Sequence, residues 1–216
     1  MSELLKIYSF TLKHLHLGSS MLICYTELDF RRFEKLIDEI SLPDSLEVLI
    51  STSYGLNSID KVTFSKNLTA LHFNAYDIES LDGLIFPPAL AALDLQNSRI
   101  KNLQGEVFPS TLKRLIVRIT DTVDLSKDMY GKSLQLEKLW LKSFESNKLT
   151  CTIPTSLQSL RLEYLGPSVF NELGNGLVHL TVASCCLDLR SLKFGSESKL
   201  KYFCMSNCSI KTLGMD

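Results

Sequence analysis

A repeat of about 22 residues constrains the fold of this 216-residue chain more than any other feature of its sequence. The pattern L-x-x-L-x-L begins at Leu90, and an equivalent pattern begins 22 residues later at Leu112. The first apolar position of this unit occurs nine times, at Leu12, Leu46, Leu68, Leu90, Leu112, Leu136, Leu157, Leu177 and Leu200. After one interval of 34 residues, all later intervals lie between 20 and 24 residues. Such self-similarity predicts a solenoid, in which each unit packs only on its neighbours.

The alternation of leucines with variable residues predicts one short strand per unit, with the leucines facing a shared core. Nine strands, spaced about 4.8 Å apart, would form one parallel sheet on the concave side. A unit of this length leaves room on the convex side only for extended, turn or 3₁₀ segments. The predicted fold class is α/β by convention, although the fold itself is β-rich. Ser51 is the one break in the repeat, because it occupies the third position of L-x-x-L-x-L, where the other units have an apolar residue.

Four of the predicted strands are preceded by a segment that contains proline. These segments are Leu42–Leu46, Phe86–Leu90, Phe108–Leu112 and Ile153–Leu157. Proline lacks a backbone N–H and fixes φ, which suits the position before a strand and opposes a helix. We therefore expect a turn at each of these places.

Residues 21–40 depart from the repeat. Phe33, Leu36, Ile37 and Ile40 have helical spacing, with charged residues between them. This pattern predicts an amphipathic helix over residues 28–40. We expect that helix to pack on the convex side of a lengthened first repeat, so that residues 1–216 form a single repeat domain.

The charge and hydropathy of the chain limit its surroundings and its partners. A net charge of −1 and a pI near 6.4 give no overall attraction to nucleic acid. The N-terminus lacks the apolar segment of a signal peptide, and no apolar run approaches the length of about 18 residues that spans a membrane. We therefore expect no membrane segment and a cytoplasmic or nuclear location.

The cysteines and histidines predict neither a metal site nor catalysis. Six cysteines lie at positions 24, 151, 185, 186, 204 and 208 without a CxxC motif, and we expect reduced thiols. Cys204 and Cys208 are close in sequence, but the register places Cys204 on the concave face and Cys208 in the interior, where zinc ligands would not converge. Asp94 and His72 lie on adjacent strands, where a hydrogen bond between them would be ordinary for a sheet. We expect no metal, no cofactor and no catalytic residue.

The units are similar to the leucine-rich repeat superfamily from about residue 9 to residue 213. The segments PTSLQSL and PDSLEVL resemble the P-x-S-L-x-x-L units of a bacterial secreted-effector type and of the 22-residue Phe-Asn-Ile-Pro type. The chain departs from both, since it lacks the regular double-proline turn, the Phe-Asn-Ile-Pro tetrapeptide and the consensus asparagine after the strand. The resemblance implies a horseshoe of about nine repeats that binds protein through its concave face.

Three successive units gather basic residues around two apolar ones on that face. We predict that these seven residues bind the partner: Arg114, Ile116, Arg118, Lys138, Trp140, Lys142 and Arg161. Tryptophan and arginine are typical of interface hot spots, and the positive charge predicts a protein partner with an acidic surface. A single stacking aromatic in a chain without positive net charge argues against nucleic acid.

The function predicted from these features is a non-catalytic protein–protein interaction module. One alternative is a substrate-recognition subunit of a ubiquitin ligase, although no F-box is visible. The other alternative is the targeting part of a larger effector enzyme. The sequence leaves the oligomeric state and the identity of the partner open.

Overall fold

A computed structural model describes residues 11–18, 42–52, 62–73, 78–81, 83–100, 108–120, 123–125, 134–144, 150–166, 169–170, 172–186 and 192–209. The helix predicted over residues 28–40 lies outside these ranges. Within them the chain forms strands and turns and no helix. This part of the chain accordingly has no helix with the length and hydrophobicity needed to cross a membrane.

Twelve strands occur in the described residues. They are β1 His14–Gly18, β2 Val48–Thr52, β3 Ala70–Phe73, β4 Ala92–Ile100, β5 Arg114–Ile119, β6 Val123–Asp124, β7 Lys138–Lys142, β8 Thr150–Thr152, β9 Ser159–Glu163, β10 Val169–Phe170, β11 His179–Ala183 and β12 Tyr202–Ser206. Nine of them form one parallel sheet in the order β1-β2-β3-β4-β5-β7-β9-β11-β12. Each neighbour in the sheet comes from the next unit of the sequence, so the chain winds as a β-solenoid. The predicted parallel-sheet solenoid is confirmed.

The sheet keeps one register from unit to unit. Val48, Ala70, Ala92 and Arg114 are aligned on four successive strands, and each is 22 residues from the next. The middle leucines of seven units form a buried row with at most 3% of their surface exposed: Leu49, Leu71, Leu93, Leu115, Leu139, Leu160 and Leu180. Because apolar burial stabilises by about 25 cal/mol per Å², the packing of each leucine between its equivalents is a major source of stability.

A tight turn before the strands explains the recurring proline. The Leu46 N–H donates to the carbonyl of Pro43 at 3.0 Å, and equivalent bonds close the turns before Leu90 and Leu112. The hydroxyl that precedes the leucine donates to a carbonyl of the previous unit: Ser45 Oγ to Leu12 at 2.7 Å, Thr111 Oγ1 to Leu90 at 2.8 Å and Ser156 Oγ to Leu136 at 2.7 Å. These segments therefore shape a turn before the strand, and those that carry a hydroxyl also satisfy a backbone acceptor of the previous unit.

The return segments, which connect one strand of the large sheet to the next, form a second parallel sheet that covers the core. It consists of β6, β8 and β10, which follow β5, β7 and β9 along the chain. Leu125, Cys151 and Phe170 of these segments are buried in the same apolar cluster as the leucine rows. The short unit length thus gives extended return segments here, as its limited room predicts.

The break at Ser51 does not turn this residue away from the core. Ser51 is 1% exposed, as its place in the third core row predicts. Its Oγ has no hydrogen-bond partner within the described residues. A buried hydroxyl without a partner costs free energy, so β2 is a weaker unit than its neighbours.

At β12, the last strand of the sheet, no described residue covers the outer side of the core row. Phe203 of β12 is aligned with the buried Leu180 but is 51% exposed, and β12 pairs only with β11 in this part of the chain. An inner unit is therefore packed on two sides and this end unit on one.

We expect Leu115→Ala to lower the free energy of unfolding by about 2–5 kcal/mol, because it leaves a cavity between two packed neighbours. Phe203→Ala is the matched change in the same row, and its effect should be less than half as large, since the ring is already half exposed. Urea denaturation of both variants measures the difference. Equal losses would show that Phe203 is packed as tightly as an inner leucine.

Candidate functional site

The open face of the large sheet is formed by the residues that alternate with the buried leucines. On β5 the buried residues Leu115 and Val117 alternate with outward-facing Arg114, Ile116 and Arg118. The same alternation holds on β7, where Leu139 and Leu141 are the buried residues. The pleat of a strand thus decides which side chains a partner can reach.

Register brings all seven predicted partner-binding residues together on β5, β7 and β9. Four lateral pairs result: Arg114 with Lys138, Ile116 with Trp140, Arg118 with Lys142, and Trp140 with Arg161. We call these seven residues the basic surface. Their adjacency is a property of the structure, whereas their role in binding stays a prediction.

Trp140 is enclosed by two cations of the basic surface. Lys142 Nζ and Arg161 Cζ each lie 4.4 Å from the centroid of its ring. Such contacts are cation–π interactions, each of about 0.5–1 kcal/mol at exposed sites. The Trp140 ring therefore acts as a support for Lys142 and Arg161 and is not a freely exposed anchor.

Glu163 balances part of the positive charge from below. It follows Arg161 by two positions on β9 and so lies on the open face, yet it is only 7% exposed. Lys142 Nζ lies 3.4 Å from Glu163 Oε2, and Arg161 pairs with Glu163 Oε1, its Nε donating at 2.8 Å. Both cations around Trp140 are thus held by one carboxylate. Five cations and this single carboxylate leave a local charge of +4, against −1 for the whole chain.

Arg114 and Lys138 differ from the other cations of the basic surface. Both side chains are exposed and lie side by side in register. In the described part of the chain neither has an ion-pair or hydrogen-bond partner. Like charges that face each other across a sheet are destabilising. This pair therefore costs stability that no described carboxylate offsets.

Two exposed aromatic residues lie at the edge of the basic surface, where β7 and β9 end. Phe144 is 55% exposed and Tyr164 is 45% exposed. Their rings stack with centroids 4.6 Å apart, and Arg118 lies 4.8 Å from the Phe144 centroid. We call these two residues the edge aromatic pair. The repeat pattern does not reveal this pair, because Phe144 lies three positions after Leu141 whereas Tyr164 lies two positions after Leu162, so the register does not align them.

Tyr164 adopts a backbone conformation that a tyrosine rarely takes. Its φ is 55°, and Ser184 and Asn207 at the ends of β11 and β12 each have a φ of 52°. The left-handed conformation is thus a regular feature of the turn after these strands, and asparagine is well suited to it. A bulky side chain in this conformation stores strain.

We expect Tyr164→Asn to change the free energy of unfolding by less than about 1 kcal/mol, because relief of the backbone strain offsets the loss of ring stacking, which contributes about 0.5–1.5 kcal/mol. Phe144→Asn is the control, since it removes the same stacking at a residue without positive φ. The control should be the less stable variant in urea denaturation. Equal destabilisation by the two changes would contradict the strain at Tyr164.

A hollow lies beside the basic surface on β2 to β5. It has a volume of about 250 Å³. Ala70 and Ala92 lie in its middle, Val48 forms one side and Arg114 forms the other. We call it the alanine pocket. It exists because the two residues between Val48 and Arg114 in this row carry only a methyl group.

The residues two positions after Ala70 and Ala92 on the same strands contribute a polar pair to the alanine pocket. His72 Nδ1 lies 2.8 Å from Asp94 Oδ2, and the backbone N–H of Gln96 donates to Asp94 Oδ1 at 3.1 Å. The two residues are aligned in register, so the contact is the cross-strand hydrogen bond that the sequence predicts. Asp94 holds the imidazole in place through Nδ1.

Two of the described cysteines, Cys185 and Cys208, contact the backbone of the solenoid. Cys185 is buried; its Sγ accepts a hydrogen bond from the Leu165 N–H at 3.4 Å and contacts the Ala183 carbonyl at 3.1 Å. Cys208 Sγ contacts the carbonyls of Ser206 and Val182 at 3.3 and 3.5 Å. Cys204 is exposed, and no group of three or more metal-binding side chains occurs within the described residues. Burial raises the pKa of the Cys151 thiol to about 12 and that of Cys185 to about 11.

We expect iodoacetamide at pH 8 to modify Cys186 and Cys204 well before Cys151 and Cys185 in the folded protein. A thiol with a pKa near 12 is ionised in about one molecule in 10⁴ at this pH, and burial also blocks access. Peptide mass spectrometry after timed quenching measures the order, and modification in urea provides the unfolded control. Early labelling of Cys151 would show that the core opens locally.

The fold and the open face define a class of protein, a parallel β-solenoid with units of about 22 residues and side chains presented from one broad sheet. The chain matches no protein-family model, no curated protein and no solved structure. Its function is therefore argued from its own side chains.

Proposed function

We propose that this chain is a leucine-rich-repeat horseshoe of nine units and that its concave face binds an acidic segment of a partner protein. The L-x-x-L-x-L units, their spacing near 22 residues and the parallel register of their strands support the repeat type. The open face of the sheet corresponds to the concave face of such a horseshoe. The proposed activity is binding without catalysis.

The observation that carries the proposal is the pairing of Arg114 with Lys138. Two like charges in register, exposed and without a carboxylate partner in the described ranges, reduce the stability of the solenoid. A carboxylate supplied by a partner would remove this repulsion and form charge-assisted hydrogen bonds with both side chains. Binding energy and relief of repulsion would then act in the same direction.

Further donors of the basic surface also lack acceptors. Trp140 Nε1 and Arg118 Nε are buried, and neither has a hydrogen-bond partner among the described residues. Buried donors without partners are rare in folded proteins. Side-chain and backbone oxygens of a bound protein segment could accept from them once the covering side chains move.

An acidic protein segment fits the basic surface better than a nucleic acid strand. Lys142 and Arg161 are already paired with Glu163, which leaves few cations for successive phosphates. The stacked rings of the edge aromatic pair contact each other and leave no gap for a base between them. Nucleic-acid binding relies on many phosphate contacts and on separate stacking rings.

The test is selection of peptide ligands on the folded protein from a displayed random library. We expect acidic peptides to be enriched and their affinity to fall by about tenfold or more, equivalent to about 1.4 kcal/mol, in the Arg114→Glu, Lys138→Glu variant. The Lys66→Glu, Lys199→Glu variant carries the same charge change at exposed lysines outside the basic surface and should bind as the wild type does. Selection of peptides without acidic residues, or equal loss in both variants, would refute the proposal.

A further inference from the structure

The alanine pocket lies next to the basic surface and shares Arg114 with it, and it has chemistry of a different kind. Val48, Ala70 and Ala92 present methyl groups from three adjacent strands, whereas Arg114 closes the fourth side with a guanidinium that has no partner in the described part of the chain. Adjacent strands lie about 4.8 Å apart, so the hollow between Val48 and Arg114 is about 14 Å across, measured between backbones. An apolar floor with a cation at one wall suits a group that is apolar at one end and negative at the other.

The size of the pocket suits a single large side chain. Sites for drug-sized ligands and cofactors have volumes of about 300–1,000 Å³. The alanine pocket, with about 250 Å³ and an open top on the sheet, is smaller than this range. One large apolar side chain can be accommodated in such a volume, and the backbone that carries it would lie across the open face.

We infer that the alanine pocket binds one large apolar side chain of the acidic partner segment, with a carboxylate of a neighbouring residue of that segment paired to Arg114. The inference rests on the proposed function, because it assigns an anchor to the same bound segment. The charge of Arg114 and the continuity of the pocket with the basic surface determine this occupant. The partner motif is therefore an apolar residue within an acidic segment.

The His72–Asp94 pair gives this anchor a direction. Asp94 accepts from Nδ1 and holds the ring at the pocket wall opposite the alanine row. The remaining nitrogen, Nε2, accepts a backbone N–H of the bound segment. One apolar contact, one ion pair and one backbone hydrogen bond then define the orientation of the segment on the open face.

The test uses acidic peptides selected from the displayed library and the variant Ala92→Leu, which fills the pocket without changing charge. We expect the peptides to share a large apolar residue, and Ala92→Leu to weaken their binding by about tenfold. Replacing that apolar residue by alanine in the peptide should have the same effect on the wild type and little effect on the variant. Ser206→Leu places the same side chain on the open face of β12, five strands away, and should leave affinity unchanged.

A second measurement keeps the result independent of the stability of the variant. In wild-type protein the methyl NMR signals of Ala70 and Ala92 should shift on peptide addition, while that of Met205 on β12 should not. If acidic peptides bind and respond to Arg114→Glu, Lys138→Glu but not to Ala92→Leu, the pocket assignment is wrong and the proposed function stands. If no acidic peptide is enriched, both are wrong. Unmoved Ala70 and Ala92 methyl signals with a tight peptide would also overturn the pocket assignment.

Discussion

The packing of each leucine on its equivalent in the next unit is the interaction on which this structure depends. No unit has a core of its own, because its few inward side chains are covered only when neighbours stack on both sides. Stacking requires one register from unit to unit, and the aligned row of Val48, Ala70, Ala92 and Arg114 shows that this register is kept. The turn hydroxyls, such as that of Ser45, support this spacing by bonding to the previous unit.

The same constraint leaves the open face free to vary. Once the leucines are fixed inward, the residues between them can change without loss of the core, and register places them beside one another at strand spacing. Chemistry on this face is therefore set by neighbouring units. Arg114 meets Lys138, while Lys142 and Arg161 meet the carboxylate of Glu163. The face thus contains one group of cations that is internally balanced and one pair that is not.

Local departures from the regular pattern coincide with the features that a partner would use. The small residues Ala70 and Ala92 open a pocket between Val48 and Arg114 in their row. Tyr164 occupies a left-handed position that Asn207 fills in the last unit, and its ring is stacked on Phe144 and half exposed. Neither feature improves the core, and both lie along the edges of the basic surface. Because neither feature stabilises the fold, the proposed binding function gives a reason for both.

The sequence by itself determined the solenoid, its strand positions and the adjacency of the basic surface, because a fixed repeat allows only one register that buries every leucine row. It also determined the contact between His72 and Asp94, since both lie at equivalent positions of neighbouring units. Only the tertiary structure decided that Glu163 is buried beneath two cations and that their side chains cover Trp140. These outcomes depend on rotamers, on charge pairing and on backbone turns after the strands. A repeat pattern specifies which Cβ atoms are neighbours, but it does not specify which conformations the long side chains adopt between them.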